Sequence, residues 1–570
     1  MTETAAPRAG RRPKWLAGLT GTLLLPLLAV LVILIVVPVL AMFYGAVGGW
    51  DRKNPGIRFD ALLEVVADPE YLWTYAGTIG LSLLIAAIAV VVGAAFAWIL
   101  ARTDVRWRGA FELGVIAPLF LSPFIGAVAW IMLAAPNSGM INVNLRHIFG
   151  PDFTLLNVMS VPGMVWVLSI YYIPYGYLMV AAALRNMDPS LEDASYVNGH
   201  GHFRTIMTVT LPVIRPAMTA AFFFVAVLTT GVFSVPGVLA VNDFVPIAVR
   251  IYRAATVYPT DLATASALGT VLFVVTVIGI FFYRNAVKQT ARFVTVTSRG
   301  FRPRLIRLGK WRGVAQTVLV IYFVVTVVMP YAAITLVAFT PYAQTDFAQM
   351  QFSFKSFLSV VTSGRVATAT LNTVILGVLA PTVSVLLGLL IGFAVQRRRG
   401  RLAAVIDYLA TLPVAIPGIV LATGMVGLYI RTPIYATIWL LLVAFVASYI
   451  PHATRLSSNG LVQIDKSLEE AAYVNGARWP KALRTITLPL AKPSLLSAWI
   501  MVFIFATREI NSTIILYSPR STVLSVLTWD YIGNGGVPQA AAVGLLQTLI
   551  LIVGIVVARF VFKVRLSSAV

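Results

Sequence analysis

Leu191–Ala217 reads LEDASYVNGHGHFRTIMTVTLPVIRPA, and Leu468–Ser494 reads LEEAAYVNGARWPKALRTITLPLAKPS, aligned without a gap. The copies agree at 12 of 27 positions, all at the constant offset that carries Leu191 onto Leu468. A fixed offset over such a stretch marks an internal duplication. The copies are polar, but the chain around them is not. Of its 570 residues 59% are hydrophobic and 11% charged, and the mean hydropathy is +0.88. Such a chain cannot hide its apolar surface inside a soluble globule, and it reads as an integral membrane protein.

A span needs about 20 apolar residues, and stretches of that kind predict six spans in each half. In the first half they are 16–44, 75–101, 111–133, 161–184, 217–241 and 263–283. In the second they are 314–339, 371–395, 402–430, 434–450, 495–517 and 540–562. The fold expected is an all-α membrane protein of about 12 transmembrane helices. The run from Leu16 follows Arg8, Arg11, Arg12 and Lys14, as a signal peptide would, yet it is long for a cleaved segment and is read as a retained span.

The first half covers 1–283 with its repeated loop at 186–216, and the second covers 313–570 with its loop at 456–494. A basic linker, 284–312, joins them and suits anionic lipid headgroups. An even number of spans precedes the second half, so the repeats are parallel, related by an axis along the membrane normal where a pathway can form.

The net charge of +22 does not point to nucleic acid, because the basic residues collect in loops on one side of the membrane. Arg102, Arg106, Arg108, Arg185, Arg204, Arg215, Arg397 and Arg401 share that side, with Arg52, Lys53 and Arg58 running against the trend. The balance predicts cytoplasmic loops and cytoplasmic termini. Trp15, Trp50, Trp73 and Trp311 fall near predicted span ends, the usual place for an indole anchor. With no cysteine, disulfides and thiolate metal sites are excluded.

Each loop copy opens on an aspartate suited to capping, Asp188 or Asp465, followed by a short helix with Glu192 or Glu469 in its first turn. Asn198-Gly199 and Asn475-Gly476 are left-handed stop signals. A second short helix follows, expected to be interrupted by Leu211-Pro212 or Leu488-Pro489 before the next span. Ala194, Ser195, Ala471 and Ala472, beside Tyr196 and Tyr473, read as a surface that another protein's backbone approaches. The alternative is a loop packed only on its own bundle.

Glu-Ala-Ala with a following glycine and a distal Leu-Pro resembles the signature loop of type I ATP-binding-cassette importer permeases. The second copy, Glu469-Glu470-Ala471-Ala472 with Gly476, fits closely; the first has Asp193 and Ser195 as departures. The resemblance covers both halves. It implies that Glu192, Asp193, Ala194, Gly199, Glu469, Glu470, Ala471 and Gly476 couple the chain to two copies of a cytoplasmic ATPase. It also implies an extracytoplasmic substrate-binding protein as partner. A fused six-plus-six chain is most similar to the ferric-iron branch, with thiamine, aminoalkylphosphonate or polyamine importers as alternatives. Ser122-Pro123, Ser138–Asn142, Tyr171–Tyr175, Ile416–Leu421 and Arg508–Thr513 carry that likeness.

No phosphate-binding GxxxxGK[ST] loop occurs in the sequence, so ATP and Mg would be used by the partner subunits and this chain would be no enzyme. His147, His200, His202 and His452 are scattered, and no resident metal site is expected. Ionisable residues within spans are functional suspects. Arg508 and Glu509, placed in span eleven where the first half has Gly231 and Val232, lead the pathway candidates, with Asn511, Thr230, Ser234 and Tyr172. Adjacent residues on a helix point about 100° apart, so this pair should find separate partners. A rival reading, an ion-coupled secondary transporter, would want more intramembrane carboxylates.

Overall fold

The computed structural model describes residues 23–50, 56–240, 244–290, 305–397 and 400–562. Both termini, Trp15, Arg52, Lys53 and the linker arginines 292–304 lie outside the described residues. Among the described residues the named elements are all helices, and a parallel bridge joins Thr103 to Ile306.

The first half contains α1 (Leu25–Ala46), α2 (Pro69–Arg102), α3 (Arg108–Phe120), α4 (Pro123–Ala134), α5 (Met140–Phe149), α6 (Val161–Asn186), α7 (Ser190–Val197), α8 (His202–Thr230), α9 (Ile247–Thr256) and α10 (Leu262–Thr290). The second half contains α11 (Trp311–Ala338), α12 (Gly364–Arg397), α13 (Arg401–Thr411), α14 (Gly418–Tyr429), α15 (Ile438–Val462), α16 (Lys466–Val474), α17 (Trp479–Thr507), α18 (Leu524–Gly533) and α19 (Val537–Phe562).

Ten of the described helices are long and apolar enough to cross a membrane, and the count reaches 12 if each of two bent pairs is one span. The bend in span three corrects its reading as continuous, and the bend in span nine falls at Ile416-Pro417-Gly418, where proline and glycine lead one to expect a kink: α3 and α4 meet at 96°, and α13, with the turn up to Ala415, meets α14 at 106°. The cause is local. Pro123 and Pro417 each follow an extended residue and stand at the start of a helix, where the missing N–H costs nothing.

Spans five and eleven are displaced from their expected positions. They start inside the repeated loops, at His202 and Trp479, and stop at Thr230 and Thr507 rather than at 241 and 517. The Leu-Pro pairs therefore do not interrupt the chain. A π-helical turn, Ile206–Thr210 or Leu483–Thr487, precedes each pair, and its wider hydrogen-bond spacing lets the helix absorb Pro212 or Pro489.

The halves repeat one packing scheme and interlock. In the first half α2 lies along α6, and Gly93 is where their backbones touch: a Cβ there would meet the Tyr177 nitrogen at 2.5 Å. In the second half α12 lies along α15, and a Cβ on Gly388 would meet Ala453 and Thr454 backbone at 2.8 Å. Small residues permit this approach where lipid supplies no hydrophobic drive between helices. Each half's first span packs on the other half: α1 against α14, and α11 against α3 and α4. Past α2, Asp104 pairs with Arg312 and accepts from the Leu308 amide at 3.0 Å, fixing the approach to α11. The Arg312 hydrogen bond holds the Asp104 carboxyl below its usual range. Trp73 and Trp311 are exposed as belt residues would be, whereas Trp50 departs from that expectation by tucking against Gly45 and Gly427.

Candidate coupling loops and central cavity

The two repeated loops have the same construction. Asp188 accepts from the Ser190 amide and Asp465 from the Ser467 amide, both at 2.9 Å, and these backbone bonds hold both carboxyls below their usual range. Helices α7 and α16 end at Asn198 and Asn475, followed by Gly199 at φ +77° and Gly476 at φ +80°. Nothing lies within 4 Å of a Cβ built on either glycine, so the backbone angle alone selects glycine there.

Glu192 and Glu469 point into the bundle. Arg397, the last residue of α12, donates Nε to Glu469 Oε2 at 2.8 Å and Nη2 to Oε1 at 2.9 Å, while Thr487 Oγ1 donates to Oε1 at 2.9 Å. Arg102, the last residue of α2, places Nε 3.3 Å from Glu192 Oε2, and Thr210 Oγ1 donates to Oε1 at 2.7 Å. Arg102, Glu192 and Glu469 are buried, and the Arg397 side chain is 8% exposed. Each glutamate therefore ties a short helix to the end of a membrane span and to the π turn opening the next one. Burial beside Glu469 also pushes the Tyr473 hydroxyl up to about 12.

With the glutamates turned inward, the outward face of α7 is Leu191, Ala194 and Val197, and that of α16 is Leu468, Ala471 and Val474. Val197 and Val474 are 87% and 88% exposed. Asp193, Glu470, Gly199 and Gly476 are exposed beside these stripes. The copies differ on the inner side. Ser195 Oγ lies 2.9 Å from Thr205 Oγ1 and 3.2 Å from His200 Nδ1, where the second copy has Ala472, Ala482 and Ala477.

Between the halves lies a cavity of about 210 Å³, built where helices break. Pro123 from the α3–α4 bend, Pro413–Gly418 from the α13–α14 bend, Gly231–Val232 past α8 and Arg508–Asn511 past α17 all line it. Arg508 and Glu509 are thus not inside span eleven but just beyond it, Arg508 being its C-cap. They find separate partners, as expected. Arg508 donates Nη1 at 2.6 Å to the carbonyls of Leu119 and Leu121 and lies over the Phe505 ring. Those carbonyls are orphans of the end of α3, and a cation there also faces the negative end of the helix dipole. Glu509 accepts from the Tyr449 hydroxyl and from Ser512 N at 2.9 Å and Oγ at 3.2 Å.

Asn511 Oδ1 receives the amides of Phe233 at 3.0 Å and Ser234 at 3.1 Å, so the second half caps the broken end of the first. Tyr172 and Tyr175, stacked at 5.7 Å, line another wall. Thr230 does not line the cavity: its hydroxyl donates at 2.6 Å to Ala226 O in its own helix, the usual refuge of a threonine in a span. His452 and Tyr449, one turn apart on α15, also line the cavity and were not singled out from the sequence as pathway residues. The rule that flags intramembrane ionisable groups applied to His452 as well.

The sequence model of a family described as binding-protein-dependent transport system inner membrane component matches residues 89–292 and again 384–565. The chain belongs to this family. It is a multi-pass membrane permease with two copies of the family unit fused in one polypeptide. The permease is 25% identical over 535 residues to the ferric transport system permease protein FbpB of Actinobacillus pleuropneumoniae, covering 93% of this chain and 76% of that one. It is 26% identical over 511 residues to the putative ferric transport system permease protein FbpB 1 of Haemophilus influenzae, covering 88% and 79%. A solved bacterial alginate ABC transporter, in complex with a periplasmic protein bound to an alginate pentasaccharide, aligns with 50% of the permease and 96% of its own chain, at 19% identity and a TM-score of 0.40. The permease is an ABC importer subunit, and the relatives are permease components rather than enzymes.

Proposed function

We propose that this permease moves ferric iron, handed over by an extracytoplasmic binding protein, through the cavity between its halves and into the cytoplasm. Hydrolysis of MgATP by two cytoplasmic ATPase subunits drives the movement. The observation that carries the motor half of this reading is the pair of exposed stripes, Leu191/Ala194/Val197 and Leu468/Ala471/Val474. Each sits on a helix tied by a buried glutamate–arginine contact to a membrane span. A subunit that seats α7 or α16 can pull α2 and α8, or α12 and α17, as one body. Two such handles suit two equivalent motors, with the loops and termini on the cytoplasmic side.

The iron half is supported by the names of the relatives and by the donor chemistry of the cavity. Tyr172, Tyr175, Tyr449, Glu509 and His452 all line it. Oxygen donors of this kind suit a hard cation. The glutamate is held ready by Tyr449 and Ser512, and Arg508 is occupied by backbone carbonyls, so the arginine is less available to an anionic cargo.

Reconstitution with the binding protein and ATPase tests the proposal. Radioiron should accumulate with ATP, fall at least tenfold in Glu509→Gln, and be uncompeted by thiamine, 2-aminoethylphosphonate or putrescine. Uptake of one of those in place of iron would overturn the cargo. Uptake without any ATPase would overturn the motor.

A further inference from the structure

A pocket of about 260 Å³ opens at the loop end of the first half, away from the central cavity, lined by Arg102, Arg108, Arg185, Tyr177 and one acid, Glu112, among apolar residues of α2 and α6. Arg185 is paired with Glu112. Arg102 is buried, donates Nη2 to Leu184 O at 3.0 Å and faces Glu192. Arg108 is left over: its Nη2 is buried without a hydrogen-bond partner. Three guanidiniums against the carboxylates Glu112 and Glu192 leave one positive charge uncompensated, and a buried donor with no acceptor costs free energy until an acceptor arrives.

The pocket's rim is suited to a membrane surface. Trp107, immediately before Arg108, is 79% exposed, and Arg106 is exposed beside it. An exposed tryptophan next to arginines at a span end marks headgroup depth.

We propose that this pocket binds a phosphate group, that of an anionic phospholipid headgroup, with Arg108 as its charged donor. Arginine suits a phosphate oxygen pair through its planar fork. Arg102 lines the pocket and also holds Glu192, so an occupant shares a residue with the tether of the first coupling helix, α7.

The test is native mass spectrometry of the full-length chain in detergent, titrated with dioleoylphosphatidylglycerol, with dioleoylglycerol, which lacks the phosphate, and with inorganic phosphate as competitor. The phosphatidylglycerol should bind and the diacylglycerol should not. Arg108→Gln should weaken the lipid about fivefold, Arg108→Lys less, and Arg106→Gln, the same charge change outside the pocket, under twofold. Displacement by inorganic phosphate at the same dependence on Arg108 would keep the site and assign free phosphate as its source. Thermal unfolding without lipid should be unchanged or higher in Arg108→Gln, since an unpartnered donor is removed, so weaker binding is not misfolding. Equal losses in Arg108→Gln and Arg106→Gln, or no loss in Arg108→Gln, would overturn the proposal.

Discussion

Glu469→Gln should free α16, the second of the two proposed coupling helices, from its span. In the native protein Arg397 closes a two-pronged contact on Glu469 at 2.8 and 2.9 Å, and both side chains are under a tenth exposed. Opposite charges about 4 Å apart attract by about 4 kcal/mol at an effective dielectric constant near 20. Removing one partner of a buried pair typically costs about 3–5 kcal/mol because the other charge stays buried and unpaired. Glutamine still accepts from Thr487, so the loss is charge rather than shape. Local opening of α16 should become easier by about 3 kcal/mol, on the order of 10²-fold in amide exchange over Lys466–Val474. The effect in α7 of Glu192→Gln should be smaller, because Arg102 makes a single contact at 3.3 Å. Hydrogen-exchange mass spectrometry of the reconstituted permease reads both helices in one experiment. Adding Arg397→Met to Glu469→Gln should recover about 2 kcal/mol, since an unpaired arginine is the source of the penalty. Exchange within twofold of wild type in Glu469→Gln, or strict additivity of the two substitutions, would refute the tether.

Gly476→Ala should destabilise the end of α16 by about 1 kcal/mol through its positive φ, while Gly476→Asn, which tolerates that region, should cost less; ATP-driven uptake should fall in the same order. Asn511→Ala removes the acceptor for two amides of the first half, costing about 1–3 kcal/mol, whereas Asn511→Asp keeps it; thermal unfolding of the two variants checks this. Arg508→Met leaves the Leu119 and Leu121 carbonyls without their donor and should lower the unfolding temperature more than Arg508→Lys. The Asp188 and Asp465 carboxyls are held below their usual range, so the stability they lend is present above about pH 4 and is lost as the pH falls through their lowered values. Amide exchange at the starts of α7 and α16 should rise in that acid window in wild type, and Asp465→Asn should flatten the rise in α16.

What the sequence discloses here is what neighbouring residues decide. The aspartates, the left-handed glycines and the short helices between them are local, and they read correctly twice because the same local physics occurs twice. The bends at Pro123 and Pro417 were also written locally, since a proline after an extended residue starts a helix; Ile416-Pro417-Gly418 signals its own kink, whereas the total hydropathy of span three does not register direction. The π turns before Pro212 and Pro489 had no such signal. Glu192 and Glu469 looked like residues facing a partner, and only packing could show that Arg102 and Arg397, far away in sequence, turn them inward. Arg508 reaching Leu119 and Asn511 reaching Phe233 are likewise contacts between halves, and no periodicity predicts them. Thr230 read as a pathway residue because it is polar, yet a hydroxyl in a helix can satisfy itself on its own backbone.

In the proposed motor, α7 and α16 each seat one ATPase subunit. A photocrosslinking residue placed at Val197, at Val474 or at both, in permease reconstituted with its own ATPase, tests that directly. One ATPase adduct from either single site, two from the double site and none from Val462 on the nearby span is the predicted result. A single adduct from the double site, or none from either, would contradict it.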